Sequence, residues 1–337
     1  MLHGLTLLFA VIAGILLAAV PSLLWFILWM AGKIAHFNVP FAPFGWTAVG
    51  IVAAAWLILA YGFFVGRFRL ETKAFPFTHQ DVPSDFNHYK IVQISDLHLS
   101  TFNDRPSALQ RIVDSINAQV PDLICFTGDL VTTGVAEALP YTDILKQLHA
   151  KDGIASVFGN HDFLIYNHQF TSKADRAAEV ARLENYEREV LGWRLLRNEH
   201  LVIEKDSKSD NQRSSITIIG VDNCSCANEG FPTLYAGDLS KAMEGTSGFR
   251  VLLTHDPGHW RAEAVGHPIP LTLSGHTHSG QVRLFRKALS DISFKESAGW
   301  FRTGGQALYI NSGIGCTLPI RLNCPAEITV ITLLSTK

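Results

Sequence analysis

Residues 90–98 read Lys-Ile-Val-Gln-Ile-Ser-Asp-Leu-His, an apolar run long enough for one short strand that closes on a carboxylate and an imidazole two residues apart. The same construction recurs downstream. Residues 123–127 (LICFT) run into Gly128-Asp129, and residues 154–158 (IASVF) into Gly159-Asn160-His161-Asp162. Residues 251–254 lead to His255-Asp256, and residues 271–274 to Gly275-His276-Thr277-His278-Ser279-Gly280. Between the first three strands lie helical stretches at about residues 106–119 and 137–149. Strands alternating with helices predict parallel pairing in a layered α/β domain. In such sheets ligands gather outside the carboxyl ends of the strands, so five clusters converge on one edge.

Outward from this core the texture changes. Residues 173–191 are charge-rich and helical in pattern, and short strands follow at 201–204, 216–221, 308–311 and 328–333. Residues 205–215 read as a polar turn. Upstream, residues 67–88 mix charge, proline and polar side chains without periodicity and read as a linker.

The N-terminus is different in kind. Hydrophobic residues make up 47% of the 337 and charged ones 17%, and the apolar excess lies in residues 5–31 and 41–66, which carry no charge. A spanning helix needs about 20 apolar residues. The expected organisation is a membrane anchor over 1–66 with spans at about 5–31 and 46–66, a linker over 67–88 and one soluble domain over 89–337. A cleaved leader is the competing reading of the first run, but Met-Leu-His-Gly lacks the basic start a signal peptide needs. Pro21 either kinks the first span or folds it into a re-entrant hairpin. Lys33 alone sits between the spans, whereas Arg67, Arg69 and Lys73 follow the second. The positive-inside bias predicts a multi-pass protein of the cell (inner) membrane with its large domain in the cytoplasm. Five cysteines, with Cys125 inside an apolar strand, imply no full disulfide framework, and Cys224 and Cys226 have the wrong spacing for a zinc knuckle. A net charge of −2 gives no basic stripe and argues against nucleic acid as a partner.

The residue types at the strand ends carry chemistry. Asp, His and the carbonyl of Asn suit Mn²⁺, Fe or Zn²⁺, and the lack of a Cys ligand argues against structural zinc. One bridging carboxylate can hold two such ions about 3.5–4 Å apart, clamping a phosphoryl group and activating a water as nucleophile. Any single Asp-x-His or strand-end Asp is as readily a turn. Five in register with strand ends are not coincidence, and His-x-His on an extended segment puts both rings on one side.

Taken in order, Asp-x-His, Gly-Asp, Gly-Asn-His-Asp, a separate His and Gly-His-x-His resemble the calcineurin-like metallophosphoesterase superfamily over residues 90–333. Gly-His-Thr-His-Ser-Gly-Gln, and the tail Leu-Tyr-Ile-Asn-Ser-Gly-Ile-Gly with Pro-Ala-Glu-Ile-Thr, look like its membrane-associated bacterial phosphodiesterase branch, apart from Ser279 where that branch often has glycine. The resemblance implies a four-layer α/β/β/α sandwich of two facing mixed sheets. It implies one metal on Asp96, His98, Asp129 and His278, and a second on Asp129, Asn160, His255 and His276. His161 would stabilise the phosphoryl group or protonate the leaving oxygen, with Asp162 orienting its ring or, alternatively, capping a helix.

The implied activity is hydrolysis of a phosphodiester, phosphomonoester or phosphoanhydride on a phosphorylated small-molecule or lipid-linked substrate among membrane lipids. A narrower alternative, from similar members, is a UDP-diacylglucosamine-type pyrophosphatase of lipid A synthesis. A non-catalytic membrane sensor or scaffold would show a lost ligand, and none is lost. A transporter is disfavoured by two spans without an intramembrane charge. The remaining histidines (His79, His88, His149, His168, His200, His259 and His267) are expected at the surface or behind the ligands. Arg321 is expected either to reach a substrate phosphate or to form a surface salt bridge.

Overall fold

The structure, a computed structural model, describes residues 2–170, 172–206, 213–225, 234–285 and 287–336. Cys226 and residues 207–212 of the polar turn lie outside the described residues. The chain forms two compact units, one of residues 1–67 with 319–322 and one of residues 68–318 with 323–337.

The first unit is a helical pair, α1 (Leu2–Ala35) and α2 (Ala42–Phe64). Both are long and apolar enough to cross a membrane. Pro21 lies inside α1 without ending it, so the first apolar run is one continuous helix rather than a re-entrant hairpin. The Trp56 indole N–H donates to the Ala10 carbonyl (3.1 Å), and Gly14 admits the same indole against its backbone. Residues 319–322 belong here through Arg321, whose N–H donates to the Gly62 carbonyl (3.3 Å).

In the second unit, α/β alternation runs through β1 (Leu70–His79), β2 (Lys90–Ile94), α3 (Pro106–Asn117), β3 (Leu123–Phe126), α4 (Thr142–Leu145), β4 (Ile154–Ser156), α5 (Lys173–Asn185) and β5 (Arg194–Leu195). There follow β6 (Glu199–Asp206), β7 (Arg213–Gly220), α6 (Leu239–Ala242), β8 (Phe249–Leu253), α7 (Gly258–Ala262) and β9 (Leu271–Ser274). The chain ends with β10 (Arg283–Leu284), β11 (Lys287–Ala288), β12 (Gly299–Thr303), β13 (Gln306–Ile310) and β14 (Ala326–Ser335). One mixed sheet has the order β1-β14-β2-β3-β4-β5 and the other β12-β13-β9-β8-β7-β6.

Three apolar clusters make the layering visible. One joins Val92, Ile124 and Ile154 to the α3 face of Leu109, Ile112 and Ile116. A second fills the space between the sheets, with Ile91, Leu123 and Ala155 opposite Ile218, Val251 and Leu271. A third covers the far side of the second sheet with Leu239 and Trp260. Three interfaces make four layers, α/β/β/α. The inner strands are buried along their whole length because both faces are covered, which is why they read as unbroken apolar runs.

Two readings are corrected. Residues 67–88 are not simply a linker, because ten of them form β1, parallel to β14 at a sheet edge. Its inward positions are Lys73, Phe75, Phe77 and His79, so lysine and histidine hide the alternation, and Lys73 binds Glu327 at 2.6 Å. The helix expected over 137–149 shrinks to tight turns and the four-residue α4. Pro140 has no N–H to give a helix interior and clashes with the preceding turn.

Candidate metal centre

The ligand-type residues occupy loops bent sharply off the carboxyl ends of β2, β3, β4, β8 and β9. Asp96, His98, Asp129, His276 and His278 all have φ between 37° and 73°, the left-handed region. That conformation costs an L residue roughly 1–2 kcal/mol, and such strain persists where the surroundings over-determine it. Here the loops tie one another. Asp96 N–H donates to the Gly128 carbonyl (2.8 Å), His98 N–H to the Asp129 carbonyl (3.1 Å) and Gly275 N–H to the His255 carbonyl (3.0 Å). A Cβ at Gly159 would strike Asp129 Oδ1, and one at Gly275 would strike Asp96 Oδ2, so glycine is what lets these loops close.

All seven expected donors come together. On one side, His278 Nε2 lies 3.2 Å from Asp96 Oδ1 and 3.2 Å from His98 Nε2, which is 3.5 Å from Asp129 Oδ2. On the other, His255 Nε2 lies 3.2 Å from the same Asp129 oxygen and 3.2 Å from His276 Nδ1, which is 3.0 Å from Asn160 Oδ1. Two donor groups thus meet at Asp129. Asp96, His98, Asp129 and His255 are fully buried.

The buried nitrogens and carboxylate oxygens lie close enough together to hold a cation between them. Burial pulls His255 toward its neutral form, yet the adjoining Asp129 carboxylate outweighs this and raises its pKa to about 10. Burial likewise opposes ionisation of Asp129, but His255, His161 and His98 hold its carboxyl well below the usual range. The set of imidazoles, carboxylates and one amide oxygen, without sulfur, fits two borderline divalent ions.

Outer partners fix the rings. His255 Nδ1 faces the Thr127 carbonyl at 2.7 Å, which turns Nε2 toward Asp129. His98 Nδ1 bonds the Thr132 hydroxyl (3.1 Å), and Asn160 donates its amide to the Tyr166 hydroxyl (3.1 Å), leaving Oδ1 toward His276. Such partners set the tautomer and aim of metal ligands. Sequence reading missed Thr127, Thr132 and Tyr166. The first acts through its backbone, and the others lie outside the ligand motifs.

His161 is half-buried, edge-on to His98 (ring centroids 4.8 Å) and beside Tyr166 (4.7 Å). Its N–H donates to Asp129 Oδ1 (2.8 Å), and its Nδ1 points at the Thr132 carbonyl, 3.4 Å away. Asp162 does not orient that ring, contrary to the sequence expectation. Its buried carboxylate accepts backbone N–H groups from Asp129 (2.7 Å), Leu130 (2.9 Å), Val131 (3.3 Å) and Gly159 (2.9 Å). It is the knot that ties the β3 and β4 loops. Burial and the Asp129 carboxylate push its pKa up to about 7, against the donors that favour its charge. Arg321 is fully buried, which removes the surface salt bridge. His259 is also buried, held between the Thr254 hydroxyl (3.0 Å) and Glu263 (2.9 Å).

A sequence profile described as calcineurin-like phosphoesterase matches residues 89–280. The chain is 30% identical over 297 residues to the uncharacterized metallophosphoesterase YkuE of Bacillus subtilis, spanning 85% of this chain and 95% of that protein. It is 29% identical over 262 residues to a transmembrane protein with metallophosphoesterase domain of Danio rerio, spanning 75% of this chain but 55% of that longer protein. Among solved structures, TT1561 of Thermus thermophilus aligns with 67% of this chain and 90% of its own, at 14% identity and a TM-score of 0.39.

Proposed function

The chain belongs to the calcineurin-like phosphoesterase family, and from that premise we propose that it hydrolyses a phosphodiester, phosphomonoester or phosphoanhydride carried by a membrane-proximal substrate. That it is a metal-dependent phosphoric ester hydrolase with a dinuclear centre follows from the family and the His/Asp cluster. The observation that carries the reading is the meeting of two donor groups at Asp129. Asp96, His98, Asp129 and His278 would hold one ion, and Asp129, Asn160, His255 and His276 the other, with Mn²⁺, Fe or Zn²⁺ as the candidates. When bound, the pair offsets phosphoryl charge and lowers the pKa of a water to near neutrality.

The chain's own groups supply the rest. His161 stands at the rim, where a phosphoryl substituent would sit. With Nδ1–H turned to the Thr132 carbonyl, its other nitrogen is left to meet the leaving oxygen and deliver a proton. The buried ligands exclude bulk water, which strengthens each of these electrostatic contacts.

We place the chain in the cell membrane as a multi-pass protein with the catalytic unit on the cytoplasmic side. The charge-free runs and the basic residues after α2 support this. The test is activity of the detergent-solubilised full chain with Mn²⁺, Fe²⁺ or Zn²⁺. Its panel is p-nitrophenyl phosphate, bis-p-nitrophenyl phosphate and an acylated sugar-nucleotide pyrophosphate. Hydrolysis abolished by Asp129→Ala supports the proposal. Inertness across all metals and substrates would replace it with a scaffold or sensor.

A further inference from the structure

Between the His276–His278 loop and β12 lie residues 279–298, none of which is among the expected metal donors. Their hairpin β10–β11 pairs Arg283 with Ala288 and Leu284 with Lys287, with Phe285 entering the turn between the strands. Tight hairpin turns favour Asn and Gly, because positive φ is cheap for them. Phe285 instead takes φ 56° with its ring wholly exposed. Leu284 (66% exposed), Leu289 (54%) and Ile292 (81%) stand out on the same stretch, and Leu318 (60%) on the loop beside it. Gln281, at the hairpin's base, accepts from Leu318 N–H (3.0 Å) and donates to the Leu318 carbonyl (2.6 Å).

Large apolar side chains gathered on one exposed element mark a binding surface. Two observations say for what. The exposed apolar residues stand beside cations on the hairpin itself, exposed Lys287 opposite Leu284 and half-buried Arg283 opposite Ala288, as on elements that lie in an anionic lipid interface. In addition, Leu318 directly precedes residues 319–322, the segment grouped with the two apolar helices, and Asn323, directly after it, donates to the Arg283 carbonyl (3.4 Å). Both residues flanking that segment in sequence are therefore bonded to the hairpin's base.

We propose that Phe285, Leu284, Leu289, Ile292 and Leu318 form a lipid-docking surface that enters the headgroup region of an anionic bilayer. The same stretch reaches the metal site. Phe294 lies edge-on to His276 (5.6 Å), and the Thr277 hydroxyl donates to the Ser297 carbonyl (2.5 Å). Docking would therefore hold the site at headgroup level, where an amphiphilic phosphoester presents its phosphate.

The test uses the full chain in vesicles. The described cysteines are buried, so Cys226→Ser leaves Phe285→Cys open to an environment-sensitive fluorophore. Val120→Cys is the control, being exposed at the turn that enters β3, the end opposite the site. Nitroxide-labelled lipids in phosphatidylcholine vesicles with 3:7 phosphatidylglycerol should quench the label at 285 at least about twofold more than that at 120. Arg283→Glu with Lys287→Glu should remove the difference. Equal quenching at both sites, with equal access to aqueous iodide, would overturn the proposal, and so would insensitivity to the charge-reversal pair. Labelling at Leu289→Cys repeats the measurement if the 285 variant fails to fold. The readout does not involve turnover, so its failure leaves the phosphoesterase reading standing.

Discussion

Replacing Asp162 with alanine separates a structural knot from a catalytic partner. Four backbone N–H groups converge on this carboxylate, three of them at 2.9 Å or less. Each buried donor left without an acceptor costs roughly 1–3 kcal/mol, and relaxation recovers part of that. A loss of about 4 kcal/mol follows, among the largest single-residue effects. For a unit of this size each kcal/mol is worth about 2–4 °C, so the unfolding midpoint of Asp162→Ala should fall by about 8–16 °C. Asp162→Asn keeps one acceptor oxygen and should fall about half as far. The assay is thermal unfolding of the detergent-solubilised full chain, followed by near-UV circular dichroism with metal removed from all samples. A midpoint for Asp162→Ala within about 2 °C of wild type, with activity lost, would rule out the structural knot and return Asp162 to the role of orienting His161.

Other outcomes follow from the same geometry. His161→Ala should keep full metal content and its midpoint while losing about 10²–10⁴-fold in rate, as measured by turnover alongside elemental analysis. Gly159→Ala would drive a methyl into Asp129 Oδ1 and should cost both metal and activity, whereas Gly266→Ala, with open space around it, should cost neither. Removing metal with a chelator should lower the midpoint as well as abolish turnover. A ligand at 100 times its Kd stabilises by about 2.7 kcal/mol, and re-addition of Mn²⁺, Fe²⁺ or Zn²⁺ should restore both readouts.

The centre of the fold was legible because buried parallel strands are written as short apolar words, and each of these words ends in residues of metal-ligand type. The clusters around Asp96, Asp129, Asn160, His255 and His276 could be located from that pattern alone, whereas which residue of each would hold a metal was implied by the family resemblance. What was hidden is hidden for physical reasons. In β1, Lys73 and His79 occupy inward positions and Pro76 an outward one, which an edge strand tolerates and a periodicity reading does not. Asp162 was misassigned because its neighbour His161 is adjacent in sequence, while its four partners are backbone groups that no residue type announces. Thr127 acts on His255 through a carbonyl, which is equally silent.

On the proposed function, Asp129 joins two ions into one centre. Titration of Mn²⁺ into the metal-free full chain, followed by electron paramagnetic resonance, tests it directly. Two Mn²⁺ per chain are expected, with a spin-coupled signal that Asp129→Ala eliminates. A single uncoupled Mn²⁺ per chain, or a coupled pair that survives Asp129→Ala, would contradict it.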